Sequence, residues 1–256
     1  MSADPILVEV ADGLARVTLN RPDRLNAMDF AMGERWRDAA RQVTSDPEVG
    51  AVLLDAAGPA FCAGGDVISM ATSGADGSDV TAAAHVIHEG ILAFTESAVP
   101  VVAAVQGAVA GGGLGLMLTA DYIVAAEGAK FVSRYANIGL TPDLGVSTLL
   151  AAAVGPRRAL QLLLQDRALS APEALEWGLV AEVAADPASR ALEIARFWLE
   201  GATGAFGQAK RLVRSGADRP FAENLDDEAR TIGAAFDTPD AKARIQAFAA
   251  ASARRG

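Results

Sequence analysis

Three short apolar runs constrain this chain more than anything else in it: Val49–Leu54, VVAAV at 101–105 and YIVAA at 122–126. Each is too short for a buried helix, and the first two are rich in β-branched residues, so they read as buried strands. Segments with apolar residues at helical spacing lie between them. One runs from about Asp29 to Val43 (Phe30, Trp36, Ala40, Val43) and another from about Val80 to Ser97. Alternating strands and helices predict an α/β core. Two extended runs around Asp12-Gly13 add a β-hairpin at the start. AKFV, at 129–132, reads as a further strand. Residues 72–79, TSGADGSD, read as a mobile loop. Beyond about residue 185 the pattern is helical: Ala188–Leu199, Gly204–Ser215, Phe221–Phe236 and Asp240–Ala251. We therefore divide the chain into a core over 1–190 and a helical region over 191–256.

Composition removes several classes of function. Acidic residues outnumber basic ones 32 to 22, so nucleic acid is not an expected partner. Cys62 is the single cysteine and His85 and His88 are the two histidines, which leaves no cysteine-rich or multi-histidine metal centre. The N-terminal segment MSADPILVEV has neither a basic n-region nor a long apolar h-region, and no apolar stretch reaches spanning length. A soluble cytoplasmic protein without membrane contact is expected.

Two loops combine glycine with a strand-to-helix position: Phe61-Cys62-Ala63-Gly64-Gly65-Asp66 and Gly107 through Gly113. Glycine lets a ligand approach backbone N–H groups, and a helix N-terminus leaves such groups exposed. On adjacent strands the loops are able to aim two amides at one oxygen, as an oxyanion hole does. Glycines after strands also serve as plain turns, and the local sequence leaves both readings open. A dinucleotide site fits poorly. Gly111, Gly113 and Gly115 lack the last gap of G-x-G-x-x-G, and no acid stands suitably downstream.

Five blocks, NRPDRLNAM, AFCAGGDV, QGAVAGGGLGL, AKFVSRYANIGLTPDLG and ALSAPEALEWGLV, follow in an order and spacing that resembles the crotonase superfamily, the enoyl-CoA hydratase/isomerase family. The resemblance covers about residues 5–185. It implies a spiral of ββα turns with C-terminal trimerisation helices, hence a homotrimer or a dimer of trimers. It also implies acyl-CoA thioester substrates, with coenzyme A entering as part of the substrate and no permanently bound cofactor. It places the hole amides on Gly65 and Gly112, and the coenzyme A contacts on Arg24, Leu25, Ala27, Ala63, Asp66 and Val67, with Arg24 suited to a phosphate.

The two water-holding glutamates of similar hydratases fall on Gly115 and Tyr135, neither of which is a carboxylate. Asp143 stands where some relatives carry a single acting acid. These include double-bond isomerases and 4-chlorobenzoyl-CoA dehalogenase. The resemblance thus implies allylic isomerisation of a 3-enoyl-CoA with Asp143 as acid/base, and Tyr135 bonding its carboxylate or lining the acyl pocket. A hydratase with another water site, an aromatic acyl-CoA hydrolytic enzyme assisted by His88, and a non-catalytic acyl-CoA-binding subunit are the alternatives. By local sequence, His85 and His88 read first as a polar helix face and Asp143 as a helix cap. Cys62 reads as a small buried filler, Asp66 as a helix cap and Asp121 as structural. Trp198 and Phe236 read as core or subunit interface.

Overall fold

In a computed structural model that describes residues 4–165, 167–217 and 219–253, the hairpin forms from β1 (Ile6–Ala11) and β2 (Leu14–Leu19). Its two turn residues, Asp12 and Gly13, both take positive φ, as a tight two-residue hairpin requires. Strands β3 (Ala51–Ala56), β4 (Val101–Val105), β6 (Tyr122–Ala126) and β9 (Glu182–Ala184) continue the sheet in parallel, in the order β1-β2-β3-β4-β6-β9. A second sheet is made of β5 (Ala108–Ala110), β7 (Lys130–Val132) and β8 (Ala168–Ser170). The runs expected as strands at 122–126 and 129–132, although separated by only two residues, belong to different sheets. Strands β5, β8 and β9 have three residues each, too short to carry a period.

Helix α1 (Phe30–Ser45) starts where the Asp29 carboxylate accepts the Met32 N–H at 2.9 Å. It buries Met32, Trp36, Ala40 and Val43 on one face. Helix α3 (Gly77–Glu96) packs along it and sets Phe94 against Trp36, with ring centroids 5.1 Å apart. A short α2 (Val67–Thr72) precedes it. The segment expected as a mobile loop is in part the first turn of α3. Asp76 and Asp79 form a reciprocal capping box there, so the aspartates that lowered the apolar count are the start signal.

Helices α4 (Gly112–Leu118), α5 (Val146–Val154), α6 (Pro156–Leu163) and α7 (Ala171–Trp177) complete the spiral. Helix α8 (Pro187–Glu200) covers the other face of the main sheet, where Ala191, Ile194 and Ala195 meet Leu53, Val102, Ala104 and Val124. Helices α9 (Thr203–Gly216), α10 (Phe221–Phe236) and α11 (Pro239–Ala253) follow. Lys210 on α9 reaches into the core, where its ammonium meets Asp121 at 3.1 Å and the carbonyls of Phe94 and Val99 at 2.7 Å. Asp121 also pairs with Arg214 and accepts the Val101 N–H, the structural role expected of it.

Candidate active site

The loop after β3 is fastened from below by one buried side chain. Asn26 takes a left-handed backbone (φ 55°) and is fully buried. Its amide donates to the carbonyls of Ala57 and Ala60, each at 2.9 Å, and its oxygen accepts the Arg21 N–H at 2.7 Å. Three further main-chain bonds stitch the segments together: Ala63 N–H to Leu25 O at 3.0 Å, Met28 N–H to Gly64 O at 2.8 Å and Asp66 N–H to Met28 O at 2.9 Å. The Cys62 thiol donates to the Asn26 carbonyl at 3.1 Å. Complete burial pushes this thiol up to about 11, so it stays protonated and serves as the filler its sequence context suggested.

Asp66 caps α2, accepting the Ser69 N–H at 3.0 Å, and pairs with Arg21 at 3.1 Å. Burial works to raise its carboxyl, but the Ser69 N–H and the Arg21 guanidinium outweigh it and hold it below the usual carboxylate range. Arg24 is exposed and forms no ion pair among the described residues, which leaves its charge available to a ligand. Leu25 and Val67 are also exposed. Among the described residues no donor satisfies the Ala63 carbonyl, whereas the N–H groups of Ala27, Ala63, Asp66 and Val67 are all engaged.

The second glycine loop runs beside the first. Cys62 N–H donates to Ala108 O at 3.2 Å and Ala110 N–H to Cys62 O at 2.9 Å, a parallel pairing, so both chains leave in the same direction. A side chain at Gly113 would collide with the Cys62 carbonyl, which is why the loops approach so closely. Gly65 lies three residues beyond Cys62, and Gly112 opens α4. Among the described residues neither the Gly65 nor the Gly112 N–H donates to any protein acceptor. Two free amides at the ends of two paired loops can bind one oxygen that gains negative charge.

The third part is the turn 133–145. Arg134 and Leu144 both take left-handed backbone, at φ 58° and 54°. Asp143 sits just before Leu144, with its side chain 41% exposed. Its Oδ1 accepts the Leu144 N–H at 2.6 Å and meets His88 Nε2 at 2.8 Å. Helix α5 has Gly145 as its N-cap and no side-chain cap, so Asp143 is free of the capping role open to it in the sequence. Tyr135 donates to the main-chain carbonyl of Asp143 at 3.1 Å and not to the carboxylate, which corrects one of its two expected contacts. Burial raises the Tyr135 phenol well above its ordinary 10, so it remains a neutral donor.

The turn packs directly on the second loop. A methyl built on Gly112 would lie 2.8 Å from Leu144 Cδ1, and one on Gly115 would overlap the Leu144 carbonyl. The space a glutamate would need at position 115 is therefore filled by the main chain that carries Asp143. His88, read first as part of a polar face, sits instead against Asp143, with His85 edge-on to it at 6.1 Å. Local sequence did not separate the two histidines, because the contact spans 55 residues, and only the resemblance to an aromatic acyl-CoA enzyme singled out His88. Asn26 and Arg21 also escaped the sequence reading. The available clue was an asparagine inside a polar loop, a residue that tolerates left-handed backbone. Among the described residues no cluster of His, Cys, Asp or Glu suits a metal, and no helix is long and apolar enough to cross a membrane.

An α/β spiral in which two paired glycine loops leave the Gly65 and Gly112 N–H groups without a protein acceptor among the described residues has the architecture of the crotonase type. The family Enoyl-CoA hydratase/isomerase matches residues 9–253, so this chain belongs to that family and to the crotonase superfamily. The chain is 33% identical over 255 residues to 1,2-epoxyphenylacetyl-CoA isomerase of Escherichia coli, covering 96% of this chain and 95% of that protein. It is 34% identical over 255 residues to a Rhodobacter capsulatus protein named "Probable enoyl-CoA hydratase", covering 97% and 96%. An enoyl-CoA hydratase structure from Bacillus anthracis superimposes with a TM-score of 0.89 at 29% identity, covering 95% of both chains.

Proposed function

We propose that this enzyme moves a carbon–carbon double bond in an enoyl-CoA thioester, with Asp143 as its acid/base. The supporting observation is the Asp143 turn itself: one carboxylate beside the glycine loops, occupying with its main chain the place a second carboxylate at 115 would need. The N–H groups of Gly65 and Gly112 bind the thioester oxygen and stabilise the dienolate as its charge grows. Asp143 removes a proton from the α-carbon of a 3-enoyl-CoA. The C–H electrons spread into the dienolate, and the same carboxyl returns the proton to the γ-carbon, giving the conjugated 2-enoyl-CoA. Arg24, Leu25, Ala27, Ala63, Asp66 and Val67 hold the coenzyme A portion, with the free Ala63 carbonyl as a hydrogen-bond acceptor and Arg24 facing a phosphate.

Helices in 191–256 leave Phe197, Phe221, Phe236 and Phe248 more than half exposed, which supports assembly into a homotrimer or a dimer of trimers. Trp198 is part of the packing under α8.

The test is product analysis with 3-enoyl-CoA and 2-enoyl-CoA substrates, using wild type and Asp143→Asn. Isomerisation by wild type and its loss in the variant is the expected result. Full activity in Asp143→Asn removes Asp143 as the base. Net hydration by the wild type sinks the isomerase reading. Turnover of nothing, with thioester binding retained, would identify an acyl-CoA-binding subunit. The His88 contact favours one second reading, in which Asp143 attacks the ring of a halogenated aromatic acyl-CoA, halide leaves, and water hydrolyses the aryl ester. Release of halide from 4-chlorobenzoyl-CoA would distinguish it.

A further inference from the structure

The two oxygens of Asp143 are not equivalent. Oδ1 receives the Leu144 N–H at 2.6 Å and faces His88 Nε2 at 2.8 Å, while among the described residues Oδ2 has no partner. With Asp143 acting as the base, its carboxylate accepts and His88 Nε2 is the donor of the bond between them. A proton placed on Oδ1 would crowd three hydrogens around one oxygen. We infer that His88 is a positioning residue that pins Asp143 Oδ1, so that Oδ2 alone carries the substrate proton from the α-carbon to the γ-carbon without exchange with solvent.

The consequence is mechanical. With Oδ1 held from two directions, by the following main-chain amide and by a side chain on α3, the carboxyl cannot turn about its Cβ–Cγ bond between the two half-reactions. The His88–Oδ1 bond is satisfied in both protonation states, because a neutral carboxylic acid keeps its carbonyl oxygen as an acceptor. Other ionisable groups near the pair do not compete for Oδ1. His85 meets His88 edge-on, Tyr135 is bound to the Asp143 carbonyl, and Glu89 turns to Arg41 at 3.0 Å on α1. His88 is itself partly exposed, at 37%, so its replacement leaves no large cavity.

The inference rests on Asp143 being the base, and the test separates the two. Isomerisation of a 3-enoyl-CoA is run in D2O with wild type, His88→Leu, His88→Gln, His85→Gln and Asp143→Asn, measuring kcat, KM and deuterium at the γ-carbon. Wild type is expected to return mostly the original proton. His88→Leu should lose about tenfold in kcat, the scale of one hydrogen bond to a charged group, with KM little changed and deuterium at the γ-carbon severalfold higher. The Gln amide can donate to Oδ1 but cannot transfer a proton, so His88→Gln should recover kcat to within about threefold together with proton retention. His85→Gln should match wild type. If Asp143→Asn is inactive yet His88→Leu equals wild type in rate and label, the positioning role is wrong and the base stands. If His88→Gln is as poor as His88→Leu, His88 handles a proton itself and the inference fails. If wild type moves no double bond, or Asp143→Asn keeps full activity, both fall together.

Discussion

The paired glycine loops and the acid-bearing turn meet at one place but are held by different forces. Loops 60–66 and 107–113 are fixed mainly by main-chain hydrogen bonds and by one buried asparagine. The hole they offer depends little on which side chains surround it. The turn 133–145 is fixed by side chains, with His88 on the Asp143 carboxylate and Tyr135 on its carbonyl, and by two non-glycine residues in left-handed backbone. Such a backbone is costly for leucine or arginine and persists only where packing imposes it. On the proposed function, a scaffold of this kind would keep charge stabilisation constant while the turn selects what is done to the enolate.

The sharpest way to break that division is to disturb each half through a glycine contact. Gly115→Ala drives a methyl into the Leu144 carbonyl and moves the acid, while the free amides of the hole stay in place. We expect kcat to fall by about a hundredfold, the scale of a misplaced catalytic group, with acyl-CoA binding nearly intact. Gly113→Ala forces the two loops apart at Cys62 and should weaken binding of a thioester enolate analogue as well as turnover. Calorimetric titration of both variants with such an analogue checks this. Equal loss of binding in the two would mean that the halves are not separable.

Next in size is the buried asparagine. Asn26→Ala leaves the carbonyls of Ala57 and Ala60 and the Arg21 N–H without partners and puts alanine at positive φ. A loss of about 3 kcal/mol in unfolding free energy is expected, measured by denaturant titration. Coenzyme A affinity should fall with it, since the same residue aligns 21–28 with the first loop. Asp143 and its turn should be untouched. A change confined to stability, with affinity intact, would show that the two segments hold their register without Asn26.

Cys62 gives the comparison a pH signature. Its thiol is raised from an ordinary 9.0 to about 11 by burial. The unfolded thiol ionises first, so stability is unaffected below about pH 9 and falls as pH rises from there towards 11. The difference approaches roughly 2–3 kcal/mol at the upper end. Cys62→Ala should flatten the wild-type decline over that window, read as the difference between two pH–stability curves, although the loss of packing lowers its stability at every pH. Parallel curves would place the thiol in contact with water.

Much of this was legible before any coordinates, and the boundary follows a physical line. Strands β3, β4 and β6, the long helices and both glycine loops carry local signals: apolar runs, helical spacing and glycine at strand ends. The absence of carboxylates at 115 and 135, and the presence of one at 143, is also readable. What was not readable is tertiary. The His88–Asp143 contact joins a helix to a turn far along the chain, and nothing in either neighbourhood distinguishes His88 from His85. Asn26 acts on carbonyls, which have no sequence, and Arg21 reaches the Asp66 carboxylate across 45 residues. The early start of α3 was hidden because Asp76 and Asp79 read equally as loop polarity and as a capping box.

Tyr135 offers the smallest effect and a fine test of how the turn is built. Its hydroxyl donates to the Asp143 carbonyl at 3.1 Å, but that carbonyl also accepts the Val146 N–H at 3.1 Å. Removing the hydroxyl therefore leaves no unsatisfied acceptor. Tyr135→Phe should cost only about 1 kcal/mol of stability, the net worth of an ordinary hydrogen bond. The ring still packs near Gly111, so the turn keeps its place. We expect kcat to fall a few fold with KM unchanged, and no new pH dependence below pH 10, because the buried phenol is neutral throughout that range. A loss approaching that of Asp143→Asn would put the hydroxyl on the substrate, and the turn would then carry two reacting groups instead of one.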